Sequence, residues 1–471
     1  MTMLVPLALS HGARDAAVSA YDESILLTLA AGAGMWAATF RFKRELQARD
    51  GFLLVSLVWT LLPAFATLPL LFWSREVGAP MSFTDAYFET VSGMTTTGST
   101  VMTGLDALPP SINLWRHLLV WIGGMGILVL AVAILPLLGV GGSQIFKAET
   151  PGPMKDSKLT PRITETAKGL YAVYVAITIA CVLAYRAAGM NWFDALCHAF
   201  STMGLGGFST HDASFEYFKA HPWVDVAAMV FMVIASINFG MHFLAWRRRS
   251  FNVYVQCPEA VWTLTTLVGG SLLVSGFLFM REVTPSWAEA LRWGFFNTLS
   301  IATSTGFAST DFDRWPIFAP ALMLFLSCFA TSSGSTGGGI KMIRAIVLFK
   351  QTKRELSRAL HPRLVTPVRL SGVQVDNAVV YAILAFMLLY GLIIITGTFL
   401  LLATGLDEKS AFTAMVASIN NTGPGLGRVG PAGNYQSLTD FQTWVCTATM
   451  LLGRLELFTL LVLFTTSFWR R

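Results

Sequence analysis

Hydrophobic positions occur along this chain in long runs, and short polar stretches separate one run from the next. A helix needs about 20 mostly apolar residues to cross a bilayer. Runs near or above this length predict membrane spans at Ser24–Phe40, Phe52–Trp73, Ile112–Val140, Gly169–Gly189, Trp223–Trp246, Val261–Met280, Phe318–Thr331, Asn377–Thr404 and Phe441–Phe468. The run Ile340–Phe349 follows a glycine-rich interruption and is predicted to be the second half of a broken helix. The pattern predicts a helical protein that crosses a membrane many times.

The composition narrows the possible classes of protein. Hydrophobic residues make up 54% of the 471 residues and charged residues 13%, with a mean hydropathy of +0.59. A soluble domain carries roughly 25% charged residues, so the composition excludes a soluble enzyme, a disulfide scaffold and a disordered protein. The histidines and cysteines show no metal-ligand spacing, and no nucleophile–base pair stands out. The sequence predicts neither an enzyme nor a bound cofactor.

Four weaker segments lie between successive spans and are too short or too polar to cross a membrane. They are Phe83–Thr96, Trp192–Met203, Trp287–Thr303 and Ser410–Asn421, and each leads into a cluster of Ser, Thr, Asn or Gly. Irregular backbone at membrane depth is tolerated only where it is buried in protein or lines a water-filled path. We therefore expect four re-entrant loops.

Basic residues form five clusters that alternate with the spans. The clusters are Arg41, Lys43, Arg44 and Arg49; Lys147, Lys155, Lys158, Arg162 and Lys168; Arg247, Arg248 and Arg249; Lys341, Arg344, Lys350, Lys353, Arg354, Arg358 and Arg363; and Arg470 and Arg471. If the spans alternate in direction, all five lie on the side that the positive-inside rule assigns to the cytoplasm. The short segments then enter from outside. The net charge of +6 reflects these loops and does not indicate nucleic-acid binding.

The four short segments share a pattern when they are aligned on Gly98, Gly204, Gly306 and Gly423, which lie roughly 100 residues apart. A half-helix that ends within the membrane points its negative end at the axis. A glycine turn can then expose carbonyl oxygens that replace the hydration shell of a monovalent cation. The predicted ion-binding filter comprises Thr96, Thr97, Gly98, Thr202, Met203, Gly204, Ser304, Thr305, Gly306, Asn421, Thr422 and Gly423. The alternative is that these small residues only allow close helix packing.

Several motifs carry a resemblance to a known family. They are Thr95–Gly98, Trp121–Ile127, Leu135–Gly142, Gly206–Asp212, Gly334–Gly339, Asn420–Gly427 and Gly453–Glu456. Together they resemble the Trk/Ktr superfamily of potassium transporters, and most closely its TrkH-type membrane subunit. The resemblance extends over nearly the whole chain, from about Asp50 to Arg471.

The resemblance implies an all-α polytopic membrane protein with four M1–P-loop–M2 repeats in pseudo-fourfold symmetry around a central pore. The matching division is an N-terminal preamble at 1–50 and repeats at 51–146, 147–250, 251–363 and 364–471. It also implies K⁺ at the filter as the transported ion, a location in the bacterial inner membrane, and a homodimer with one pore per protomer. A cytosolic TrkA-type ring that binds nucleotide is expected to dock on the basic inner face.

This sequence departs from the family pattern in two places. Met203 occupies the second filter segment where a hydroxyl residue is expected, so only its carbonyl oxygen could bind an ion. The first family helix is represented at most by Met1–Ser10, which is too short to span and leaves the N-terminus truncated or divergent.

Two features are candidates for a gate. The run Gly334, Ser335, Thr336, Gly337, Gly338 and Gly339 interrupts a predicted span, and each glycine costs about 1 kcal/mol of helix stability relative to Ala. It is expected to form a loop that occludes the pore; the alternative is a kink that packs against neighbouring helices.

Arg454 lies within the final span, where a charged residue suggests a functional role. It is expected either to face the pore as a barrier to resting cations or to pair with Glu456.

Three functions remain open from the sequence. The first is potassium uptake through a gated, selective pore, with moderate discrimination against Na⁺ because each segment offers a single filter glycine. The second is a symporter that couples K⁺ to H⁺ or Na⁺, and the third is a membrane enzyme or scaffold. A symporter needs a titratable group at the midplane, and Glu89, nine residues before Gly98, is the one candidate for that role.

Overall fold

The computed structural model of the chain describes residues 2–42, 47–130, 160–370 and 372–470. These residues are almost all helical; a two-stranded antiparallel hairpin, β1 (Arg369–Leu370) and β2 (Val373–Gln374), pairs Arg369 with Gln374. Four described helices are long and apolar enough to cross a membrane, and two further pairs qualify if each bent pair is one span. The predicted all-α polytopic membrane fold is confirmed.

The helices are labelled in the order in which they occur in the described residues. They are α1 (Leu4–Ala13), α2 (Val18–Thr39), α3 (Ala48–Ala66), α4 (Leu68–Glu76), α5 (Phe83–Met94), α6 (Pro110–Val129), α7 (Thr160–Ala188), α8 (Trp192–Gly204), α9 (Pro222–Ser236), α10 (Phe239–Arg248), α11 (Asn252–Val255), α12 (Pro258–Met280), α13 (Trp287–Ala302), α14 (Phe318–Ser327), α15 (Met342–Leu360), α16 (Asn377–Ala403), α17 (Glu408–Ile419), α18 (Asp440–Arg454), α19 (Phe458–Leu461) and α20 (Thr466–Trp469).

The order of the helices repeats along the chain. A long helix (α3 with α4, α7, α12 or α16) is followed by a short one (α5, α8, α13 or α17), and then by another helix (α6, α9, α14 or α18). Each short helix packs against the helices before and after it in its own unit. The predicted boundaries of the four repeats stay predictions. The division at residues 146 and 147 lies outside the described residues, as do the motif at 135–142 and Lys147, Lys155 and Lys158.

The helices that follow the short ones are broken in the second, third and fourth units. The predicted break between Ile340–Phe349 and the preceding span is confirmed, because α14 ends at Ser327 and α15 begins at Met342. The predictions of continuous spans at Trp223–Trp246 and Phe441–Phe468 are wrong. The chain bends by 94° between α9 and α10 and by 107° after α18.

The break between α9 and α10 is stabilised by a distant segment. Residues 328–341 separate α14 from α15 and are called the intramembrane loop below. They form hydrogen bonds with backbone groups that lose their helical partners where α9 ends and α10 begins. Ser332 donates its backbone N–H to the carbonyl of Ser236 at 2.9 Å, and Phe239 donates to Gly334 at 3.0 Å. The Asn238 side chain caps the start of α10. Unpaired backbone groups are costly when buried, so the two broken regions stabilise each other.

Candidate functional site

Each of the short helices α5, α8, α13 and α17 begins at a residue that caps its first turn. The capping side chains accept a hydrogen bond from the backbone N–H three residues later, and they belong to Ser82, Asn191, Ser286 and Asp407. Ser, Asn and Asp are preferred at this position because their oxygens satisfy exposed helix N–H groups. Residues 86–94 of α5 are all buried. The chain thus forms four buried half-helices where short segments were predicted.

The same backbone turn follows each half-helix. A residue other than glycine adopts a left-handed conformation one or two positions after the helix ends, and a glycine with positive φ follows two positions later. The first residues are Thr96 (φ 53°), Leu205 (φ 54°), Ser304 (φ 59°) and Asn421 (φ 51°). The glycines are Gly98 (φ 82°), Gly207 (φ 62°), Gly306 (φ 91°) and Gly423 (φ 95°). Glycine is favoured there because a side chain resists positive φ.

These four glycines, called the glycine ring below, lie against one another in a closed circle. A Cβ atom on each glycine would lie too close to a carbonyl oxygen of the next segment. The distances would be 2.2 Å from Gly98 to Gly206, 2.3 Å from Gly207 to Thr305, 2.1 Å from Gly306 to Thr422, and 2.7 Å from Gly423 back to Thr97. Only glycine fits these contacts, and the fourth contact returns to the first segment.

In the second segment Gly207, and not Gly204, lies in the glycine ring. Helix α8 continues through Gly204, and the left-handed turn begins at Leu205. A Cβ on Gly204 would contact the carbonyl oxygen of Val120 on α6 at 2.8 Å, so Gly204 allows close helix packing. The predicted positions Thr202, Met203 and Gly204 thus lie at the end of α8, and Leu205, Gly206 and Gly207 form the turn.

Buried oxygen atoms next to the glycine ring lack hydrogen-bond donors. Thr97, Thr305 and Thr422 are fully buried, and no described residue donates a hydrogen bond to their carbonyl oxygens. The hydroxyls of Thr96 and Thr422 are also without a partner among the described residues. Burying an unpaired polar atom is costly, and a dehydrated cation can bind several such oxygens at once. The oxygen donors therefore fit a cation that passes through.

An open cavity lies over the glycine ring and reaches all four of its members. Its lining also includes Thr100, Arg116, His211, Asp212 and Tyr435. Tyr435 donates its hydroxyl to the carbonyl of Gly423 at 2.9 Å, as does Ser99 at 3.0 Å. The fourth segment is thus held in place by the first segment and by the loop after its own turn.

The predicted gate residues lie on the other side of the turns, within the intramembrane loop. Thr336 donates its hydroxyl to the carbonyl of Met203 at 2.9 Å, at the end of α8. Gly338 donates its N–H to the Ser304 hydroxyl at 2.7 Å, and a Cβ there would lie 1.9 Å from the carbonyl of Asn420. The loop therefore contacts the turns of the second, third and fourth segments.

Arg454 is buried, with 3% of its surface exposed, and it bonds to the intramembrane loop. Its guanidinium donates to the carbonyl of Thr336 at 2.9 Å and to that of Gly123 on α6 at 3.3 Å. The predicted alternative, a pair with Glu456, is not what the structure shows, because Glu456 pairs with Arg344. Lys341 places a second buried cation here and donates its Nζ to the carbonyl of Gly337. The sequence pattern placed Lys341 in a cytoplasmic basic cluster, and no local signal indicated that its side chain is buried against the loop.

Glu89, the candidate for coupled transport, lies in a buried ion pair. Its carboxylate accepts a hydrogen bond from Nε of Arg116 at 2.8 Å, and both side chains are 1% exposed. The Thr100 hydroxyl and the Val101 N–H also donate to it, each at 3.0 Å. Both carboxylate oxygens of Glu89 therefore already accept hydrogen bonds.

These features define a polytopic, all-α membrane transport protein in which four half-helices of one chain converge. The profile of the TrkH family, described as a cation transport protein, matches residues 19–471. The chain belongs to this family.

Named relatives and a solved structure agree with this assignment. The chain is 44% identical to the Trk system potassium uptake protein TrkH of Salmonella typhimurium over 469 residues, covering 100% of this chain and 96% of the relative. It is 35% identical to the Trk system potassium uptake protein TrkG of Escherichia coli, with the same coverage. The crystal structure of the potassium transporter TrkH from Vibrio parahaemolyticus matches with a TM-score of 0.91 and 42% identity, covering 100% of this chain and 96% of that one. The relatives are named as transport proteins, and none of these names describes an enzyme.

Proposed function

We propose that this protein takes up potassium across the plasma membrane through a gated pore, whose selectivity filter is built on the glycine ring. The relatives are named as potassium uptake proteins, and K⁺ is accordingly the transported ion. The proposed filter comprises Thr96, Thr97, Gly98, Leu205, Gly206, Gly207, Ser304, Thr305, Gly306, Asn421, Thr422 and Gly423. The four units are proposed as repeats around a pseudo-fourfold axis.

The carbonyl oxygens of Thr97, Thr305 and Thr422 carry this proposal. They are buried next to the glycine ring and receive no hydrogen bond from the described residues. The half-helices end at the same place, and their C-terminal dipoles attract positive charge. A K⁺ ion that has lost its water would satisfy oxygens from several segments at once.

The intramembrane loop and Arg454 are proposed to close the path on the inner side of the filter. The loop bonds to the ends of α8 and α13 through Thr336 and Gly338. Arg454 bonds to the loop and adds a buried positive charge beside it. Movement of the loop away from the turns would open the path, and it would break the hydrogen bonds of both groups.

The basic residues of α15 are proposed to contact a cytosolic partner. This helix carries Lys350, Lys353 and Arg358 beyond its buried first half, and Lys350 and Lys353 are exposed. A TrkA-type ring that binds nucleotide, a homodimeric assembly and a cytoplasmic location for the basic loops all rest on the family resemblance and on the positive-inside rule.

Coupling of K⁺ to H⁺ or Na⁺ is not favoured. The carboxylate of Glu89 is held by Arg116, Thr100 and Val101, so it is not available to bind and release a coupling ion. The relatives' names describe potassium uptake without naming a second ion.

Uptake of ⁸⁶Rb⁺ into liposomes that contain the purified protein tests the proposed function. Liposomes with the wild-type protein should take up more Rb⁺ than empty liposomes. Excess K⁺ should inhibit this uptake more strongly than excess Na⁺. Gly306→Ser should lower this preference, because a side chain there would meet the carbonyl of Thr422. Absence of uptake by the wild type would overturn the pore, and an unchanged preference in Gly306→Ser would overturn the filter.

A further inference from the structure

Glu89 and Arg116 form a buried ion pair behind the first turn of the glycine ring. We propose that these two are positioning residues, which hold the first and second filter segments in register and thereby set ion selectivity. This inference rests on the proposed function of the glycine ring as a filter. It concerns two residues that need not contact the ion themselves.

The first step concerns what Glu89 does for its own segment. Its carboxylate accepts the N–H of Val101, which lies three residues after Gly98. In the third and fourth segments the equivalent backbone N–H donates to a neutral side chain instead. Asn297 accepts the N–H of Ser309 at 3.1 Å, and the Thr413 hydroxyl accepts that of Leu426 at 2.9 Å.

This comparison separates the hydrogen bond from the charge. Since Asn and Thr hold the equivalent backbone N–H elsewhere, a neutral side chain is sufficient for that bond. A buried carboxylate is costly to desolvate unless it is paired. The charge of Glu89 therefore requires another explanation, and its partner Arg116 supplies one.

Arg116 extends from α6 to the second segment. Its guanidinium donates to the carbonyl of Ser209 at 3.4 Å, two residues after Gly207. It also lies 4.4 Å from the centre of the Phe208 ring, a favourable cation–π distance. The same guanidinium donates to the Thr100 hydroxyl at 3.2 Å. One side chain thus contacts both segments just beyond their ring glycines.

The ion pair thus links two segments that contact each other in the glycine ring. Gly98 packs against the carbonyl of Gly206 in that ring. A buried guanidinium needs a counter-charge, so removing the charge of Glu89 should let the Arg116 side chain move. The contact between the first and second segments should then become less well defined. A filter discriminates between ions through the positions of its oxygens, so the expected effect is on selectivity.

The test compares uptake of ⁸⁶Rb⁺ and ²²Na⁺ into liposomes by Glu89→Gln, Arg116→Lys and the wild type. Gln keeps the shape and the acceptor for Val101, whereas Lys keeps the charge but loses the planar contact with Phe208. Both variants should lower the Rb⁺/Na⁺ ratio about tenfold or more, the effect expected from losing a charged hydrogen bond. Total uptake should persist.

Asp225→Asn is the matched control. Asp225 of α9 is 1% exposed and pairs at 2.6 Å with Arg292 of α13, which is 25% exposed, so it too is a buried carboxylate paired with an arginine of another unit. Neither residue is among those that line the cavity over the glycine ring. This variant should lose thermal stability and keep the wild-type ratio.

The outcomes separate the inference from the proposed function. If the wild type moves no Rb⁺, the pore itself fails. If the wild type is selective and both pair variants keep its ratio, the positioning role is overturned. It is also overturned if Asp225→Asn lowers the ratio equally, because the effect is then general destabilisation. If Glu89→Gln does not fold, as judged by size-exclusion chromatography, the Rb⁺/Na⁺ ratio of Arg116→Lys alone tests the positioning role.

Discussion

The guanidinium of Arg454 donates a hydrogen bond to the carbonyl oxygen of Thr336, 2.9 Å away, although the two residues lie in different units of the chain. One belongs to the end of α18 and the other to the intramembrane loop. Thr336 in turn donates its hydroxyl to Met203 at the end of α8. Charge, loop and half-helix therefore form one connected group beneath the glycine ring.

Replacing Arg454 with Ala should raise cation flux. The substitution removes a buried positive charge from the proposed path and frees the Thr336 carbonyl. A unit charge several ångströms away repels a cation by about 1–4 kcal/mol in a partly aqueous setting, so ⁸⁶Rb⁺ uptake should rise about tenfold or more. Arg454→Lys, which keeps the charge, should remain close to the wild type. Unchanged flux in Arg454→Ala would exclude the barrier.

Removing the Thr336 hydroxyl should weaken closure. Thr336→Val keeps the shape of the side chain and deletes the 2.9 Å hydrogen bond to Met203. Such a bond contributes about 1 kcal/mol, so the open fraction and Rb⁺ uptake should rise about fivefold. Ser335→Ala is the control, since its hydroxyl bonds within the loop to Ser332. Equal uptake by both variants would show that the contact with α8 does not hold the loop.

Adding one methyl group to the glycine ring should disturb ion selection. In Gly207→Ala, the new Cβ would approach the Thr305 carbonyl to 2.3 Å at a φ of 62°. The K⁺ over Na⁺ preference should fall about tenfold, or uptake should be lost. Gly269→Ala on α12 is the matched control, because nothing lies within 4 Å of its Cβ position. A wild-type preference in Gly207→Ala would contradict the revised register.

The ion pair between His211 and Asp106 should make stability depend on pH. His211 bonds to Asp106 and, at 3.2 Å, to Asp194. Burial alone would lower the pKa of His211, but the hydrogen bonds to Asp194 and Asp106 raise it above its ordinary value. Burial alone would raise the pKa of Asp106. The hydrogen bond with His211 lowers it, and the pKa lies below its ordinary value overall.

The sign of the pH effect follows from these two shifts. A raised histidine pKa gives stability that is complete below about pH 6.5 and is lost as pH rises through the folded value. The lowered pKa of Asp106 gives stability above about pH 4. From pH 6 to pH 9, the wild type should therefore lose about 1 °C more in apparent Tm than His211→Gln. The exposed His361→Gln should track the wild type, and parallel curves for all three proteins would exclude the ion pair.

Much of this fold could be predicted because local patterns determine it. Long apolar runs specify the spans, and capping residues such as Ser82 and Asp407 specify where half-helices begin. The register of the second segment could not be predicted, because Gly204, Gly206 and Gly207 are equally suitable for a turn by sequence. Only their contacts with other segments distinguish them.

Other features depend on residues far apart in the chain. The break after Ser236 is stabilised by Ser332 and Gly334, nearly a hundred residues later. No pattern around Ser236 contains that information. The partner of Glu89 was equally hidden, since Arg116 follows it by 27 residues and lies on a different helix.

The glycine ring passes through four segments of a single polypeptide, and this has a consequence for how it varies. In an assembly of four identical subunits, one codon change alters every corner of the ring together. Here a substitution changes one of the four ring positions directly and reaches the others only through its contact with the next segment. If the ring is the proposed filter, single substitutions can give intermediate selectivities. Each segment can also have its own support, such as the ion pair at the first and Tyr435 at the fourth.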